Sequence, residues 1–413
     1  MKVLTISTFD TLGGAAKAAY RLHLSLLENG VESIMLVQNK NSTNNKVLGP
    51  DSRIEKIFNL FKPTLDQLPL IKYKSREKAL FSTSWLNTRS IVKKINKMNP
   101  DIVHLHWVSF GMLDMKSISK INAPIVWSLH DCWAFTGGCH YFGKCEKYKI
   151  SCGTCPNLLS KKQKDLSHRI FKKKLKNYHS HKNISIVGLS KWMQNSAKES
   201  CLFKDRNVIN LPNPIKSKNY KPINKKYCRD LWNLPHDKML ILFGALNPTS
   251  DIRKGFIELV ESLNLIKEPN IELVVFGSSE STTFNKFTFK TNYIGELQDD
   301  QSLVSLYNAC DVTVVPSLQE NLSNVIMESL SCGIPVVAFN VGGNIDMIDH
   351  KQNGYVAKAF DSQDFAHGIE WILKSSDYDS LSQNAREKVL KEFDEKIVVE
   401  KYISLYKSIL TTN

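Results

Sequence analysis

Apolar runs alternate with helical stretches along most of the chain. A strand at Lys2–Thr8 leads through Gly13-Gly14 into an Ala-rich helix at Ala15–Leu27, and a second strand follows at Glu32–Val37. Short continuous apolar runs bounded by turn residues are typical of strands buried on both faces of a parallel sheet. The pattern therefore predicts a βαβ unit at the start of the chain.

The same alternation continues through the first half. Apolar runs at Ile102–Leu105, Ile125–Leu129 and Ile184–Leu189 predict three further parallel strands, each followed by a polar or helical stretch. Residues 50–98 mix lysines, prolines and scattered aromatic residues, and we expect them to be mostly helical.

A proline-rich linker divides the chain at Leu211–Asn224, where no periodicity persists. After it the alternation restarts, which predicts an α/β fold of two doubly wound, Rossmann-like domains that face a central cleft. We expect domains at 1–212 and 213–392, and a last helix at 393–413 that packs back on the first domain. The elements expected in the second domain are strands Met239–Phe243, Ile271–Phe276, Val312–Val315 and Pro335–Phe339 and helices Phe256–Ile266, Ser302–Asn308 and Asn324–Ser331, with helices from there to the end.

Composition narrows the class of protein. The 413 residues are 42% hydrophobic and 23% charged, which is typical of folded soluble proteins and excludes global disorder. The longest apolar runs are far shorter than the roughly 18–20 residues that span a bilayer. We therefore expect no signal peptide, no membrane-spanning helix and a cytoplasmic location.

About half of the formal net charge of +15 lies in one segment. Residues 161–182 carry nine Lys or Arg side chains against one Asp, with apolar residues at helical spacing. This pattern predicts a basic amphipathic helix, which suits either an anionic membrane surface or plain solvent exposure.

The segment Val312–Gly343 carries the clearest chemistry. A buried strand ends at Pro316-Ser317, a loop presents Glu320, and a helix begins near Ser323. Free N–H groups of Leu322, Ser323 and Asn324 at the helix start suit a diphosphate, and Glu328 further on can accept hydrogen bonds from a ribose diol. The alternative is that both glutamates only cap and solvate the helix.

The whole segment resembles the family 4 retaining glycosyltransferases of the GT-B fold. Their signature pairs two glutamates separated by seven residues with a Gly-x-Pro-Val-Val strand and a Gly-Gly loop. This sequence has Glu320 and Glu328, Gly333-Ile334-Pro335-Val336-Val337, and Gly342-Gly343. Many members have Gly-aromatic-Gly after the first glutamate, where this chain has Asn321-Leu322-Ser323-Asn324. The string HDCWAFTGGC and the cysteine loop after it resemble enzymes of exopolysaccharide, colanic-acid-like or O-antigen assembly.

A second phosphate clamp is implied by the same resemblance. Family members place an Arg and a Lys on the donor diphosphate after the first strand of the second domain. Only Lys254 matches, because Ala245 stands where the Arg would be, and we expect Arg253 to compensate.

In the first domain, the resemblance places a Gly-rich loop near the diphosphate and a histidine beside the transferred sugar. Gly14, in the Gly13-Gly14 turn, and His130, at the end of the strand Trp127–Leu129, occupy those positions, with Asp131 orienting His130. His104 and His106 either line the acceptor crevice or are core residues.

Five of the nine cysteines lie within the loop 132–155. The spacing of Cys139, Cys145, Cys152 and Cys155 suits a structural Zn²⁺, although the first two intervals fit no standard zinc finger, and a group of free thiols is the alternative. We find no Asp-x-Asp motif of the kind that metal-dependent transferases use. We therefore expect no cofactor to be needed for catalysis.

The resemblance implies transfer of a sugar from a UDP- or GDP-linked donor to a glycan or polyprenyl-diphosphate-linked acceptor, with retention of configuration. Lys254 and the helix N–H groups would stabilise the leaving group, Glu320 would hold sugar hydroxyls and His130 the sugar near the reacting carbon. The basic helix at 161–182 would place the enzyme on the inner face of the membrane.

Two other functions are compatible with the sequence. A nucleotide-sugar 2-epimerase shares the fold and the diphosphate site, but needs acid and base carboxylates that we cannot assign in the first domain. A nucleic-acid-binding protein would account for the charge, yet no recognition motif is present and we expect no nucleic-acid partner.

Overall fold

The computed structural model describes residues 1–181, 183–244, 251–277, 287–297 and 299–412. The chain forms two compact units, one of Met1–Pro214 together with the residues from Val398 onward, and one of Ile215–Ile397. The division lies two residues beyond the expected boundary at 212/213, inside the proline-rich linker.

The first unit is built on a parallel seven-stranded sheet with strand order β3-β2-β1-β4-β5-β6-β7. Its strands are β1 (Lys2–Phe9), β2 (Glu32–Asn39), β3 (Val47–Leu48), β4 (Ile102–Leu105), β5 (Ile125–Leu129), β6 (Ile184–Gly188) and β7 (Val208–Asn210). Its helices are α1 (Gly14–Glu28), α2 (Arg53–Asp66), α3 (Arg89–Met98), α4 (Met115–Ile118), α5 (Leu166–Ser180) and α6 (Lys191–Glu199). Short 3₁₀ turns lie at Leu68–Lys72, Trp133–Phe135, Lys147–Lys149 and Pro156–Leu158.

The second unit has a parallel six-stranded sheet with order β10-β9-β8-β11-β12-β13. Its strands are β8 (Met239–Gly244), β9 (Ile271–Phe276), β10 (Thr291–Gly295), β11 (Val312–Val315), β12 (Val336–Phe339) and β13 (Gly354–Ala357). Its helices are α7 (Lys225–Leu231), α8 (Phe256–Leu265), α9 (Asp300–Ala309), α10 (Asn324–Ser331), α11 (Asn344–Met347), α12 (Ser362–Leu373) and α13 (Tyr378–Glu392), with a 3₁₀ turn at Ile252–Lys254.

Both sheets reverse their strand order at one point. In the first sheet β1 pairs with both β2 and β4, and in the second β8 pairs with both β9 and β11. The central strands are fully buried, as their apolar runs require. In doubly wound sheets, ligands bind outside the carboxyl ends of the strands at such a reversal. The loops that follow β1, β4, β8 and β11 are therefore the places to look for a site.

The last helix, α14 (Glu395–Thr412), packs on the first sheet. The Tyr406 hydroxyl lies 2.7 Å from His104 Nδ1, and the Tyr402 hydroxyl lies 3.2 Å from Ser128 Oγ. The helix therefore carries the chain from the second unit back to the first, and the expected segment 393–413 begins five residues before the unit boundary at 397/398.

Residues 50–98 are helical only in part. Helices α2 and α3 occupy the two ends of the segment, whereas residues 73–88 contain no helix. The sequence pattern also missed β3, β7, β10 and β13, because these strands are short or, in β10, only half-buried throughout. Within the described part of the chain, every helix is too short or too polar to cross a lipid bilayer.

Candidate functional site

In the second unit, Lys254 and Glu320 meet where the strand order reverses. Lys254 ends the 3₁₀ turn that precedes α8, and Glu320 lies in the loop between β11 and α10. The Lys254 Nζ donates to Glu320 Oε2 over 3.1 Å, and the Ser317 hydroxyl donates to the same oxygen over 3.3 Å. Ser317 is a partner that the sequence analysis did not name.

The Glu320 carboxyl is held in its charged form. Burial alone would raise its pKa, but the Lys254 ammonium, a hydrogen bond from Lys254 and the nearby Arg253 outweigh burial, so the pKa of Glu320 lies below its usual value. An ionised carboxylate can only accept hydrogen bonds. Glu320 is therefore suited to hold hydroxyl groups of a ligand.

The loops that carry Lys254 and Glu320 are interlocked through their backbones. The Leu318 N–H donates to the Arg253 carbonyl over 2.7 Å, and the Gly343 N–H donates to the Glu320 carbonyl over 3.2 Å. Gly255 and Gly342 both have positive φ, and a Cβ added at either would overlap the carbonyl of Pro316 or of Glu320. Only glycine permits this approach at both positions.

A cavity with about 240 Å³ of empty space opens beside this pair at the N-terminus of α10. Its lining consists of Phe243, Gly244, Lys254, Val315, Pro316, Ser317, Glu320, Ser323 and Val325. The Ser323 hydroxyl caps the helix by accepting from the Ile326 N–H over 3.4 Å. A helix N-terminus together with a lysine favours an anion in this cavity.

The other predicted donor-site residues lie outside the cavity lining. Leu322 is buried, and Asn324 is only partly exposed at the start of α10. The Arg253 guanidinium donates to the Asp251 carboxylate over 2.5 Å. Ala245, which stands at the position of the family arginine, lies outside the described residues.

Glu328 lies one helical turn deeper than the start of α10. Its carboxylate is buried and accepts a hydrogen bond from the Tyr307 hydroxyl over 3.1 Å. Glu328 does not line the cavity of Lys254 and Glu320. Tyr307, on α9, was not identified from the sequence, because a tyrosine at helical spacing is indistinguishable from a core residue.

The first unit has its own cavity at the reversal of the strand order, with about 440 Å³ of empty space. Gly13 and Gly14, at the junction of β1 and α1, form one wall, and Trp107, two residues after β4, forms another. Gly13 has φ +85°, so the turn needs glycine. Trp107 is a lining residue that the sequence analysis overlooked, although it directly follows His106 at a strand end.

A polar network fixes the position of Asp131 beside His130. The Trp107 indole N–H donates to Asp131 Oδ2 over 2.6 Å, and His140 Nδ1 lies 2.6 Å from the same oxygen. The second ring nitrogen of His140 lies 2.8 Å from the Ser82 hydroxyl. Burial would raise the pKa of Asp131, but His140 and the hydrogen-bond donors hold it below its usual value.

His130 is partly exposed, and its Nε2 lies 2.9 Å from His106 Nδ1. Burial lowers the pKa of His130 to about 4 despite the opposing charge of Asp131, and burial also holds the pKa of His106 well below its usual value. Both rings are therefore neutral near pH 7.

His104 is a core residue, which is the second of the two alternatives that the sequence left open. It is fully buried, and its two ring nitrogens contact the hydroxyls of Tyr406 and Ser128 at 2.7 and 2.8 Å. His106 is also buried, and its ring lies against that of His130, with 5.2 Å between the ring centroids.

The four predicted metal-ligating cysteines converge on one cavity with about 320 Å³ of empty space. Cys139, Cys152 and Cys155 are buried, whereas Cys145 is partly exposed. Burial raises the pKa of the Cys152 thiol to about 12. Among the described residues, no three His, Cys, Asp or Glu side chains are arranged as a preformed ligand set for a metal ion.

Among the described residues of the basic segment 161–182, Leu166–Ser180 form helix α5, and the apolar side of α5 faces the core. Lys182 lies outside the described residues. Ile170, Phe171 and Tyr178 are buried, so the helix has no apolar face to insert into a bilayer. The predicted amphipathic helix is therefore present, with its apolar side packed on the core. Lys174 is also fully buried, where its ammonium donates to the carbonyls of Trp133 and Thr136.

Comparison with protein families gives two matches. Residues 12–217 match the family model described as Glycosyltransferase Family 4, and residues 232–388 match the one described as Glycosyl transferases group 1. The second match includes Lys254, Glu320 and Glu328, and the first includes His130.

Curated relatives match over part of their length. The capsular polysaccharide biosynthesis glycosyltransferase CapM of Staphylococcus aureus is 28% identical over 165 residues, 38% of this chain and 43% of CapM. The N,N'-diacetylbacillosaminyl-diphospho-undecaprenol alpha-1,3-N-acetylgalactosaminyltransferase of Campylobacter jejuni is 26% identical over 162 residues, 38% of this chain and 42% of that enzyme. The matched stretch thus spans less than half the length of these relatives.

Solved structures share the fold over the whole chain. Sucrose-phosphate synthase from Thermosynechococcus elongatus has a TM-score of 0.69 at 16% identity and is covered completely, as is this chain. Anabaena HepE in complex with UDP and glucose has a TM-score of 0.66 at 14% identity, with 99% of this chain and 100% of HepE covered. Both are similar to this chain in fold.

The close contact between the loops predicts that Gly342→Ala destabilises the protein. The added methyl group overlaps the Glu320 carbonyl, so we expect the free energy of unfolding to fall by about 1–3 kcal/mol more than in Gly295→Ala. Gly295 is a matched control, because it also has positive φ but has no atom near an added Cβ. Equal loss of stability in the two variants, measured by denaturant unfolding of the full chain, would show that the loops are not clamped.

Proposed function

The chain belongs to the family 4 glycosyltransferases of the GT-B fold, and we propose that it transfers a sugar from a nucleoside diphosphate sugar to an acceptor hydroxyl with retention of anomeric configuration. The observation that carries this proposal is the Lys254–Glu320 pair beside the N-terminus of α10, where the second sheet reverses its strand order. The cation and the helix N-terminus match the diphosphate of such a donor, and the carboxylate matches the hydroxyl groups of its sugar.

The diphosphate binds the positive side of this cavity. Lys254 and the backbone N–H groups at the start of α10 face the phosphates, and they stabilise the negative charge that develops on the leaving diphosphate. Arg253 supplies further positive charge, although it must share its guanidinium with Asp251.

Glu320 and Glu328 bind the groups on either side of the phosphates. Glu320, ionised and partly exposed, accepts hydrogen bonds from the sugar hydroxyls. Glu328 accepts hydrogen bonds from the ribose diol, and Tyr307 orients its carboxylate. The first role requires only the exposed oxygen atoms of Glu320, whereas the second requires the ribose to reach a buried carboxylate.

The reaction breaks the bond between the anomeric carbon and the diphosphate oxygen. The acceptor oxygen forms a bond to the same carbon on the same face, and its proton moves to an oxygen of the departing diphosphate. No separate general base is therefore needed, and no cofactor takes part in the step. His130, which is neutral near pH 7, positions the sugar near the reacting carbon, and Asp131 orients the loop that carries it.

The acceptor is a glycan or a polyprenyl-diphosphate-linked oligosaccharide of surface polysaccharide assembly, on the cytoplasmic side of the membrane. Support comes from the names of the relatives, which include a capsular polysaccharide enzyme and one whose name carries a diphospho-undecaprenol acceptor. The donor carries UDP or GDP, and HepE was crystallised with UDP and glucose.

Replacement of Lys254 in the ion pair with Glu320 tests this function. We expect Lys254→Gln to lower kcat/KM for the donor by about 100-fold or more, since it removes charge stabilisation from the leaving group. Lys374→Gln is the matched control, because Lys374 donates to Glu370 over 2.9 Å in a surface ion pair of the same unit. Equal effects of the two changes would contradict the assignment.

A reaction that contains the donor but no acceptor distinguishes a transferase from a 2-epimerase. A 2-epimerase converts the sugar nucleotide without any acceptor, whereas the proposed transferase leaves it intact apart from slow hydrolysis. Products of the donor-alone reaction are measured by chromatography of the sugar nucleotides.

We also propose that Cys139, Cys145, Cys152 and Cys155 hold a structural Zn²⁺ after rotation of their side chains around the shared cavity. Four thiolates and one Zn²⁺ carry a net charge of about −2, since each thiolate contributes −1. Lys174 is buried near Cys139 and Cys152. Burial lowers the pKa of Lys174 to about 7, and the negative charge of such a centre would favour its ammonium form.

Metal analysis of the purified protein tests the zinc proposal. We expect about one zinc per chain, falling well below half an equivalent in Cys145→Ser. Cys201→Ser is the matched control, because Cys201 is likewise partly exposed but does not line the cavity. Absence of zinc from the wild-type protein, or equal loss in the two variants, would remove the proposal.

A further inference from the structure

Helix α2 packs with its polar side against the rest of the first unit. Asn59 and Asp66 are buried, and the Asn59 amide donates to the Gln38 carbonyl over 2.8 Å. Asp66 accepts from the Thr83 N–H over 3.1 Å, and Lys62 is buried on the same side. The contacts that hold this helix in place are therefore mainly hydrogen bonds rather than apolar packing.

The apolar side of α2 faces solvent. Ile54, Ile57, Phe58, Leu60 and Phe61 are all at least half-exposed, and Ile54 is 81% exposed. Their spacing of three and four residues places Ile54, Ile57, Phe58 and Phe61 on one face of the helix. The arrangement is the reverse of a normal surface helix, in which the apolar face is buried.

The exposed face continues beyond the end of the helix. Leu68 and Ile71, in the 3₁₀ turn that follows, are also exposed, and so is Trp85. The Trp85 indole N–H donates to the Leu65 carbonyl over 3.0 Å, which fixes this ring beside the helix. A contiguous exposed apolar surface of this kind marks an interaction site.

Basic side chains border this surface. Residues 53–78 contain seven Lys or Arg residues against three Asp or Glu residues, and Arg53, Lys56, Lys72 and Lys74 are exposed. An apolar face flanked by lysines complements the acyl and headgroup layers of a bilayer with anionic lipids.

We propose that α2 and the turn after it, residues 53–72, form a docking surface for an anionic lipid bilayer. The helix lies in the plane of the interface, with its apolar face among the acyl chains and Arg53, Lys56 and Lys72 at the headgroups. A second copy of the chain is a poorer occupant, because it would bring an identical basic border against this one. The surface is separate from the Lys254–Glu320 site and does not depend on the proposed reaction.

This docking surface replaces the basic segment 161–182 as the membrane contact. The apolar residues of α5 are buried in the core, so that segment offers only charge. The two segments therefore differ in a measurable way, since binding through 53–72 requires apolar side chains as well as lysines.

Vesicle flotation of the full chain tests the proposal. We expect the wild-type protein to float with vesicles of phosphatidylcholine and phosphatidylglycerol, and much less with phosphatidylcholine alone. The double variant Ile54→Gln, Phe61→Gln should weaken this binding about tenfold or more, because two large side chains no longer enter the acyl layer.

The matched control is Ile150→Gln, Phe360→Gln. Ile150 is 82% exposed and Phe360 is 53% exposed, close to the values for Ile54 and Phe61, but neither lies on the docking surface. We expect this variant to bind vesicles as the wild type does. Unchanged melting temperatures in both double variants confirm that they are folded.

Three results would overturn the proposal. They are absence of wild-type binding to the anionic vesicles, equal binding by the two double variants, and a wild-type dimer in sedimentation velocity that Ile54→Gln, Phe61→Gln dissociates. A further variant tests the segment 161–182. Replacement of Lys161, Lys162 and Lys164 by Gln should leave vesicle binding nearly unchanged. Loss of binding in that variant, with binding retained in Ile54→Gln, Phe61→Gln, would return the membrane contact to the segment 161–182.

Discussion

The close approach of three backbone loops at the carboxyl edge of the second sheet is the constraint on which the site depends. Two carbonyl groups of the loop after β11, those of Pro316 and Glu320, lie against Gly255 and Gly342, which leave no room for a side chain. Because the backbone is fixed on both sides, Glu320 cannot move far from Lys254. The ion pair, the cavity and the start of α10 are consequences of this packing.

In the first unit, burial keeps three histidines uncharged. His104 and His106 are buried behind His130, and burial depresses the pKa of all three rings. Hydrogen bonds to Tyr406 and Ser128 satisfy His104 without giving it a charge. The last helix thus contributes to the environment of His104 through Tyr406, although it is remote in sequence.

The sequence was sufficient to predict the two parallel sheets, because their central strands are continuous apolar runs. The resemblance of Val312–Gly343 to a known family pointed to Glu320 and Ser323, and a separate match after the first strand of the second domain pointed to Lys254. The structure places all three around one cavity. The edge strand β10 was missed because it is only half-buried, and β13 because it is only four residues long. Ser317 and Trp107 were missed because a hydroxyl and an indole at a strand end have no distinctive spacing.

Two helices depart from the usual rule in different ways. Apolar residues at helical spacing are normally a buried face, and lysines in a basic run are normally solvated. In α2 the apolar face is exposed, whereas in α5 the apolar face is buried as the rule predicts but Lys174 is buried with it. Which side of a helix faces the core is decided by its tertiary neighbours, such as Gln38 for α2 and Trp133 for α5.

The most direct measurement is a crystal structure of the protein with a nucleoside diphosphate sugar. The account predicts the diphosphate in the cavity at the start of α10, within hydrogen-bond distance of Lys254, with hydroxyl groups of the sugar on Glu320. A diphosphate bound away from Lys254, or a sugar that does not contact Glu320, would contradict it.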